Sequence, residues 1–197
     1  MAGVSITQSE YRANPAISKS DLFKITKSPL HFKWSMENKE EKTAALIFGS
    51  ACHKYILERD DFDSEFAVAL NVDRRTKAGK EEYAKWLEEN DGKDVVSSDD
   101  MDKIKAMAEV IDSNKLAKRL FSGEHEKSFF WTDEQTGEEC KCRPDDITVI
   151  GNQHILVDYK TTDNAETEAF RASAIKYGYD LQAGMYCEGY KANTGED

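Results

Sequence analysis

The stretch that most constrains this chain is residues 139 to 162, Glu-Cys-Lys-Cys-Arg-Pro-Asp-Asp-Ile-Thr-Val-Ile-Gly-Asn-Gln-His-Ile-Leu-Val-Asp-Tyr-Lys-Thr-Thr. Two β-rich runs, Ile147 to Ile150 and Ile155 to Tyr159, flank Gly151-Asn152. Gly and Asn tolerate positive φ, so the pattern predicts a hairpin closed by a two-residue turn. That turn sets Asp145 directly opposite Asp158, with Cβ atoms about 4.5–5.5 Å apart, where like charges repel. Side chains two apart share a strand face, so Lys160 projects beside Asp158. Paired carboxylates at this spacing either share a proton or bind a cation. With few other ligands in reach, they suit Mg²⁺ or Mn²⁺. On spacing alone, the competing reading is a solvent-facing hairpin that carries scattered charges.

The 197 residues fit one α/β domain with a substantial core. No run of about 18 apolar residues occurs and the N-terminus lacks a signal-peptide core, so a cytoplasmic protein with no membrane partner is expected. A net charge of −11 argues against a body coated in basic surface for nucleic acid. It leaves room for a basic groove on an acidic body, because only the contacted face needs Lys and Arg. The cysteines are Cys52, Cys140, Cys142 and Cys187. Their spacing lacks the Cys-x-x-Cys of zinc and iron–sulfur sites, so reduced, buried thiols are expected.

Taken in order, residues 1 to 17 read as extended and partly irregular, broken at Asn14-Pro15. Ser18 and Asp21 form a capping-box pattern that opens a helix through Lys27. Pro29 restarts a helix over Leu30 to Met36, where Phe32 and Trp34 are expected to pack on the core rather than stack on bases. Glu37 to Glu41 is a charged linker. Thr43 to Glu58 is apolar nearly all round and is expected to be an interior helix. His53 at its centre is either a satisfied core residue or a metal ligand. Phe66 to Leu70 reads as a strand, and Arg74, Arg75, Lys77 and Lys80 form the densest basic patch, preceding a helix from Glu81 to Glu89. Val95-Val96 is a short strand, Ser97 with Asp100 caps a helix to Ser113, and a short helix covers Leu116 to Phe121.

Glu124 to Thr132 begins the main sheet. A six-residue loop over 133–138 places Glu126 opposite Asp145, making it a further acidic candidate. After the hairpin, helices are expected from Ala165 to Lys176 and from Asp180 to Lys191. In the second of these, Gln182 and Tyr186 are four apart and share one face.

Several motifs together resemble the RecB-like branch of the PD-(D/E)xK nucleases, and most closely the phage-type RecE exonucleases. The His-bearing helix of that family resembles Gly49 to Glu58. Its first acidic motif resembles Lys141-Cys142-Arg143-Pro144-Asp145, and its Asp-x-Lys motif resembles Val157-Asp158-Tyr159-Lys160-Thr161-Thr162. Gln182-Ala183-Gly184-Met185-Tyr186 is similar to its Gln-x-x-x-Tyr motif, and Ile17 to Leu22 is similar to its opening segment. The motifs fall in family order across essentially the whole chain.

The resemblance implies a restriction-endonuclease-like core, a central mixed β-sheet flanked by helices, in a single domain over residues 1–197. It implies that His53, Asp145, Asp158 and the Tyr159 carbonyl hold Mg²⁺ or Mn²⁺, with Glu126 as a weaker member. Lys160 then orients water or stabilises charge, and Gln182 and Tyr186 contact the strand or position the surroundings of Lys160. The implied function is a double-stranded DNA exonuclease running 5′ to 3′ and leaving 3′ tails for phage-type recombination. Duplex ends, a homo-oligomeric ring and a single-strand annealing protein are the implied partners. Two alternatives stay open: a RecB-like nuclease with endonuclease or single-strand activity, and a catalytically silent DNA- or metal-binding module. Family members continue beyond the Gln-x-x-x-Tyr helix, so a truncated C-terminus is expected at Asp197. With Cys187 alone in that region, an iron–sulfur cluster is not expected.

Overall fold

The computed structural model describes residues 3–38 and 42–196. In chain order the helices are α1 (Gln8–Ala13), α2 (Lys19–Lys27), α3 (Pro29–Glu37), α4 (Ala44–Leu57), α5 (Phe62–Glu65), α6 (Lys77–Glu89), α7 (Ser98–Ser113), α8 (Lys115–Leu120), α9 (Thr167–Tyr177) and α10 (Tyr179–Thr194). The strands are β1 (Phe66–Val68), β2 (Asp94–Val96), β3 (Glu124–His125), β4 (Phe129–Thr132), β5 (Glu139–Cys142), β6 (Asp146–Ile150) and β7 (Gln153–Val157). The described strands form three small sheets: a parallel pair β1-β2, an antiparallel trio β3-β6-β7 and an antiparallel pair β4-β5. The expected mixture of helices and strands is present, distributed over small sheets. None of the described helices is long and apolar enough to cross a membrane.

The chain divides into two compact units. One is Lys42–Lys118, and the other joins the chain before it to the chain from Arg119 onward. In Lys42–Lys118, α4 buries only Ala51, Cys52 and Leu57, on the side that faces β2 and α7. Its opening turn is solvated, with Leu46 exposed, so the expectation of an interior helix is corrected. An all-apolar sequence does not say which flank finds a partner. Phe62 stacks on Phe66 with ring centroids 5.2 Å apart, and α7 turns Met101, Ile104 and Ala108 inward. The Cys52 thiol is pushed up to about 12, chiefly by burial and then by the Asp100 charge.

In the other unit, the three antiparallel runs form one meander with a common break. Gly151, at φ 66, closes β6 onto β7 and sets Ile150 opposite Gln153 and Asp146 opposite Val157. The preceding loop pairs Thr132 with Glu139 and Phe129 with Cys142. The same register resumes past the break, with His125 opposite Asp146 and Glu124 opposite Ile147. The run from Glu124 to Thr132, expected to begin the main sheet, is therefore two strands. It is split at Glu126, a non-glycine residue held at φ 53. Across from it, Arg143, Pro144 and Asp145 separate β5 from β6.

Helix α10 crosses β4 and β5 and closes a core of Phe129, Cys142, Tyr186 and Tyr190. It approaches closely at Gly189, where a Cβ would stand 2.6 Å from both Cys142 Sγ and the Trp131 ring. Burial pushes the Cys142 thiol up to about 12, whereas Cys187 is exposed, against the expectation of four buried thiols. The amino-terminal segment is more ordered than expected. Thr7 and Glu10 form a capping box that starts α1, Val4 bridges Ser128, and Ile17 bridges Cys140 in parallel. Lys141 is buried and donates to the Tyr11 and Asn14 carbonyls at the end of α1, where a cation complements the helix terminus. On α3, Phe32 is half-buried and Trp34 is 52% exposed, so their expected place in the core is corrected. Of the expected linker, residues 39–41 lie outside the described residues.

Candidate active site

The meander places the acidic pair. Asp145 leads into β6 and Asp158 follows β7. The Asp145 N–H donates to the Val157 carbonyl at 3.0 Å, carrying the hairpin register one step beyond the last ladder pair. The Asp145 carboxylate accepts the N–H of Tyr159, which fixes it against the Asp-x-Lys turn.

Asp158 is gripped from two elements. Its Oδ1 accepts Gln182 Nε2 at 2.8 Å and the Tyr186 hydroxyl at 3.0 Å, both from one face of α10. Gln182 Nε2 also donates to the Tyr186 oxygen at 2.6 Å. Its Oδ2 is paired with Lys160. Burial, and after it the Asp145 charge, pushes Asp158 above the usual carboxylate range, against the opposing pull of Lys160. The buried Tyr186 phenol is driven well above its ordinary value, first by desolvation and then by the charges of Asp158 and Asp145.

Glu126 enters from the break in the meander. Its N–H donates to the Asp145 carbonyl at 3.1 Å, and a carboxylate oxygen of each residue lies within 4.8 Å of the other. Arg143 holds this edge together. Its Nε lies 2.7 Å from Glu126 Oε2 and donates to the Glu126 carbonyl at 2.9 Å, while its other nitrogens reach Gln8 Oε1 and the Ile6 carbonyl, each at 3.0 Å. Positive φ at a glutamate carries a conformational cost, and such residues concentrate at functional sites.

These carboxylates pass a chemical test for a divalent cation. They are hard oxygen donors, and the pKa of one of them, Asp158, is raised by burial and then by the neighbouring Asp145 charge. A cation is the group whose binding relieves that repulsion.

The sequence missed two residues. Arg143 sits inside the acidic motif, but nothing in its spacing reveals four acceptor atoms on three residues. Lys19, in the first turn of α2, donates to the Tyr177 carbonyl and lies 5.0 Å from the Phe23 centroid and 6.0 Å from the Tyr179 centroid. Lys160 Nζ is 5.1 Å from the same Tyr179 ring. Burial and then the nearby Lys160 charge lower the Lys19 pKa, partly countered by Asp158 and Asp180. Its only sequence signal is its place in the Ile17 to Leu22 segment.

The remaining candidates sit as follows. The Tyr159 ring meets Phe121 edge-on at 6.1 Å. His53 is half-buried on α4 in the Lys42–Lys118 unit. In that same unit Arg75 forks onto Asp73 at 2.9 and 3.0 Å, Arg74 lies 4.7 Å over the Tyr83 ring, and Lys77 is 3.8 Å from Glu81. Thr76 caps α6, which begins at Lys77 rather than at Glu81 as expected.

An acidic residue entering one strand of a hairpin and an Asp-x-Lys leaving the other define the PD-(D/E)xK superfamily. The family model described as "PDDEXK-like domain of unknown function (DUF3799)" matches residues 18–197, and the chain belongs to that family. Among solved structures, a putative exonuclease from Eubacterium rectale superposes with a TM-score of 0.55 over 98% of this chain and 70% of that one, at 15% identity. This likeness is one of fold. No curated protein matches the sequence.

Proposed function

We propose that this protein is a divalent-cation-dependent deoxyribonuclease that degrades duplex DNA from its ends, with residues 1–197 acting as one nuclease domain. The observation that carries the reading is Asp158. This carboxylate is buried beside Asp145, raised in pKa, and held by Gln182, Tyr186 and Lys160 together. A merely solvated hairpin charge would have none of these. The family membership and the E. rectale structure support a nuclease; the small sheets would stand for the central mixed sheet of that class.

Asp145, Asp158 and Glu126 are the carboxylates that would hold Mg²⁺ or Mn²⁺, joined on motif resemblance alone by His53 and the Tyr159 carbonyl. When bound, the cation supplies Lewis-acid activation of water and neutralisation of phosphate charge. The chain's own residues do the rest. Lys160 presents an ammonium beside Asp158, where negative charge grows on the phosphate as it becomes pentavalent. Gln182 and Tyr186 hold Asp158 in one rotamer and exclude water from its inner oxygen. The Tyr159 N–H does the same for Asp145. No Ser or Cys nucleophile is required. Polarity from 5′ to 3′, 3′ tails for recombination, ring assembly and a single-strand annealing partner belong to this proposal on the strength of the RecE-like motifs.

The test is incubation of end-labelled linear duplex with Mg²⁺ beside covalently closed circles, for wild type and Lys160→Ala. The expected result is loss of linear DNA only, abolished in the variant, while Mg²⁺ still raises the variant's melting temperature. Cutting of closed circles would indicate an endonuclease. No cutting at all would indicate a silent binding module.

A further inference from the structure

A cavity of about 300 Å³ opens beside Asp158 and Lys160. Its far wall is Leu156, Phe170, Ala174, Tyr179, Ala183 and Cys187, so it is apolar and partly aromatic although the residues at its mouth are charged. The Phe170 and Tyr179 rings stand 6.0 Å apart at 47° and present their faces and edges along that wall. The volume is at the small end for a ligand site, enough for one heteroaromatic ring system and its sugar. None of the residues above needs this space to hold a phosphate.

The rim decides what the cavity takes. Lys160 and Lys19 bring two ammonium groups to a single ring, 5.1 and 6.0 Å from the Tyr179 centroid. An apolar peptide side chain would suit the wall and bring no negative charge to Lys19, whose ammonium meets only the Tyr177 carbonyl and two ring faces among the described residues, or to Lys160 beside Asp158. A nucleotide matches both parts, with its base on the wall and its phosphate at the rim.

We propose that this cavity is a nucleobase subsite, taking the base attached to the phosphate that lies against Lys160. The inference rests on the nuclease reading and adds to it a second binding surface with its own residues. The wall offers ring faces and methyl groups, and the Gln182 amide and Tyr186 hydroxyl that also line the cavity are engaged with Asp158. It therefore accepts any base, since every base has a π-face. Lys19 becomes a second phosphate contact beside the Tyr179 ring.

The test is binding rather than cleavage. Titrations of dAMP, dTMP and 2-deoxyribose 5-phosphate into the full chain in Ca²⁺, followed by calorimetry, isolate the contribution of the base. Wild type should prefer either nucleotide over the sugar phosphate by about tenfold, the usual worth of one stacked base. Ala183→Leu, which fills the cavity from an exposed helix position, and Phe170→Ala, which opens its wall, should each shrink that preference to about twofold. Both should leave sugar-phosphate affinity unchanged. Equal affinities in wild type, no nucleotide binding at millimolar concentration, or full preference retained in Ala183→Leu would each overturn the proposal. So would a changed sedimentation coefficient in Ala183→Leu with nucleotide binding intact, which would assign the cavity to a second copy of the chain. A protein that cuts DNA but binds nucleotides no better than the sugar phosphate loses the subsite and keeps the nuclease reading; one that prefers nucleotides but cuts no DNA does the opposite.

Discussion

Tyr186 donates to Asp158 Oδ1 at 3.0 Å, and Gln182, one helical turn earlier, reaches the same oxygen at 2.8 Å. Two donors from one helix face thus converge on one atom of a residue at the end of a hairpin. Hydrogen bonds to a carboxylate favour its charged form, whereas burial and Asp145 oppose it. The balance leaves the Asp158 pKa raised and its carboxylate held by three partners, a state that suits the cation-binding role proposed for it.

Tyr186→Phe removes one of those donors and keeps the ring that packs in the core. Partners one step removed from a metal are worth about 10- to 100-fold in affinity or activity. We expect the Mg²⁺ midpoint and the cleavage rate to shift within that range while the melting temperature in EDTA stays close to wild type. Unchanged midpoint and rate would reduce the phenol to a packing role.

The pH dependence follows from the direction of the Asp158 shift. A carboxyl whose folded pKa is raised keeps its proton to higher pH in the fold than in the unfolded chain. Its stabilising contribution is present below the ordinary carboxylate range and is lost as pH rises through the raised value. A cation needs the ionised form, so its stabilisation should grow over the same window. The difference in melting temperature between Mn²⁺ and EDTA should be small near the ordinary carboxylate range and increase toward neutrality. Asp158→Asn should flatten that profile. A metal increment independent of pH in wild type would place the cation elsewhere.

What could be read in the sequence depended on how local its cause was. Gly151-Asn152 fixes a turn, and the turn fixes the register, so the opposition of Asp145 and Asp158 and the place of Glu126 followed from counting residues. The shared face of Gln182 and Tyr186 followed from helix periodicity, and their common target did not. The capping box of Thr7 and Glu10 is a local pattern that the reading of residues 1 to 17 as extended, around Asn14-Pro15, did not use. The positive φ of Glu126 leaves no trace in composition, because Arg143 holds it through partners as remote as Ile6 and Gln8. Likewise the exposed turn of α4 and the solvated Trp34 depend on which neighbours arrive, a tertiary outcome that apolar content alone does not encode.

Arg143 is the residue on which that arrangement depends. Its side chain is 9% exposed and joins the amino-terminal segment, Glu126 and the acidic motif. Removing one partner of a buried ion pair strands the other and costs about 3–5 kcal/mol. Glu126 is less buried than Arg143, so the lower end is expected for Arg143→Ala in urea melts, with an unchanged m-value. Arg143→Lys should recover little, because one ammonium cannot replace a planar fork with several acceptors. Full stability in Arg143→Lys would show that charge alone suffices there.

The last expectation concerns how an acidic chain holds DNA, and the structure sharpens it. Each phosphate neutralised by a Lys or Arg contributes roughly −0.9 to the slope of log K against log salt. The basic patch counted four cations, yet Arg75 is forked onto Asp73 and Lys77 faces Glu81. A guanidinium already satisfied by a carboxylate releases no counterion when DNA arrives. Arg75→Ala should therefore leave the slope unaltered, and Arg74→Ala should flatten it by about one unit, equally for all sequences. Binding of the Lys160→Ala protein in Ca²⁺ across a salt series measures both. If Arg74→Ala also leaves the slope unchanged, the patch is a solvated surface. DNA contact then passes to the exposed side of α3, where Lys33 and Trp34 offer a cation beside a stacking ring.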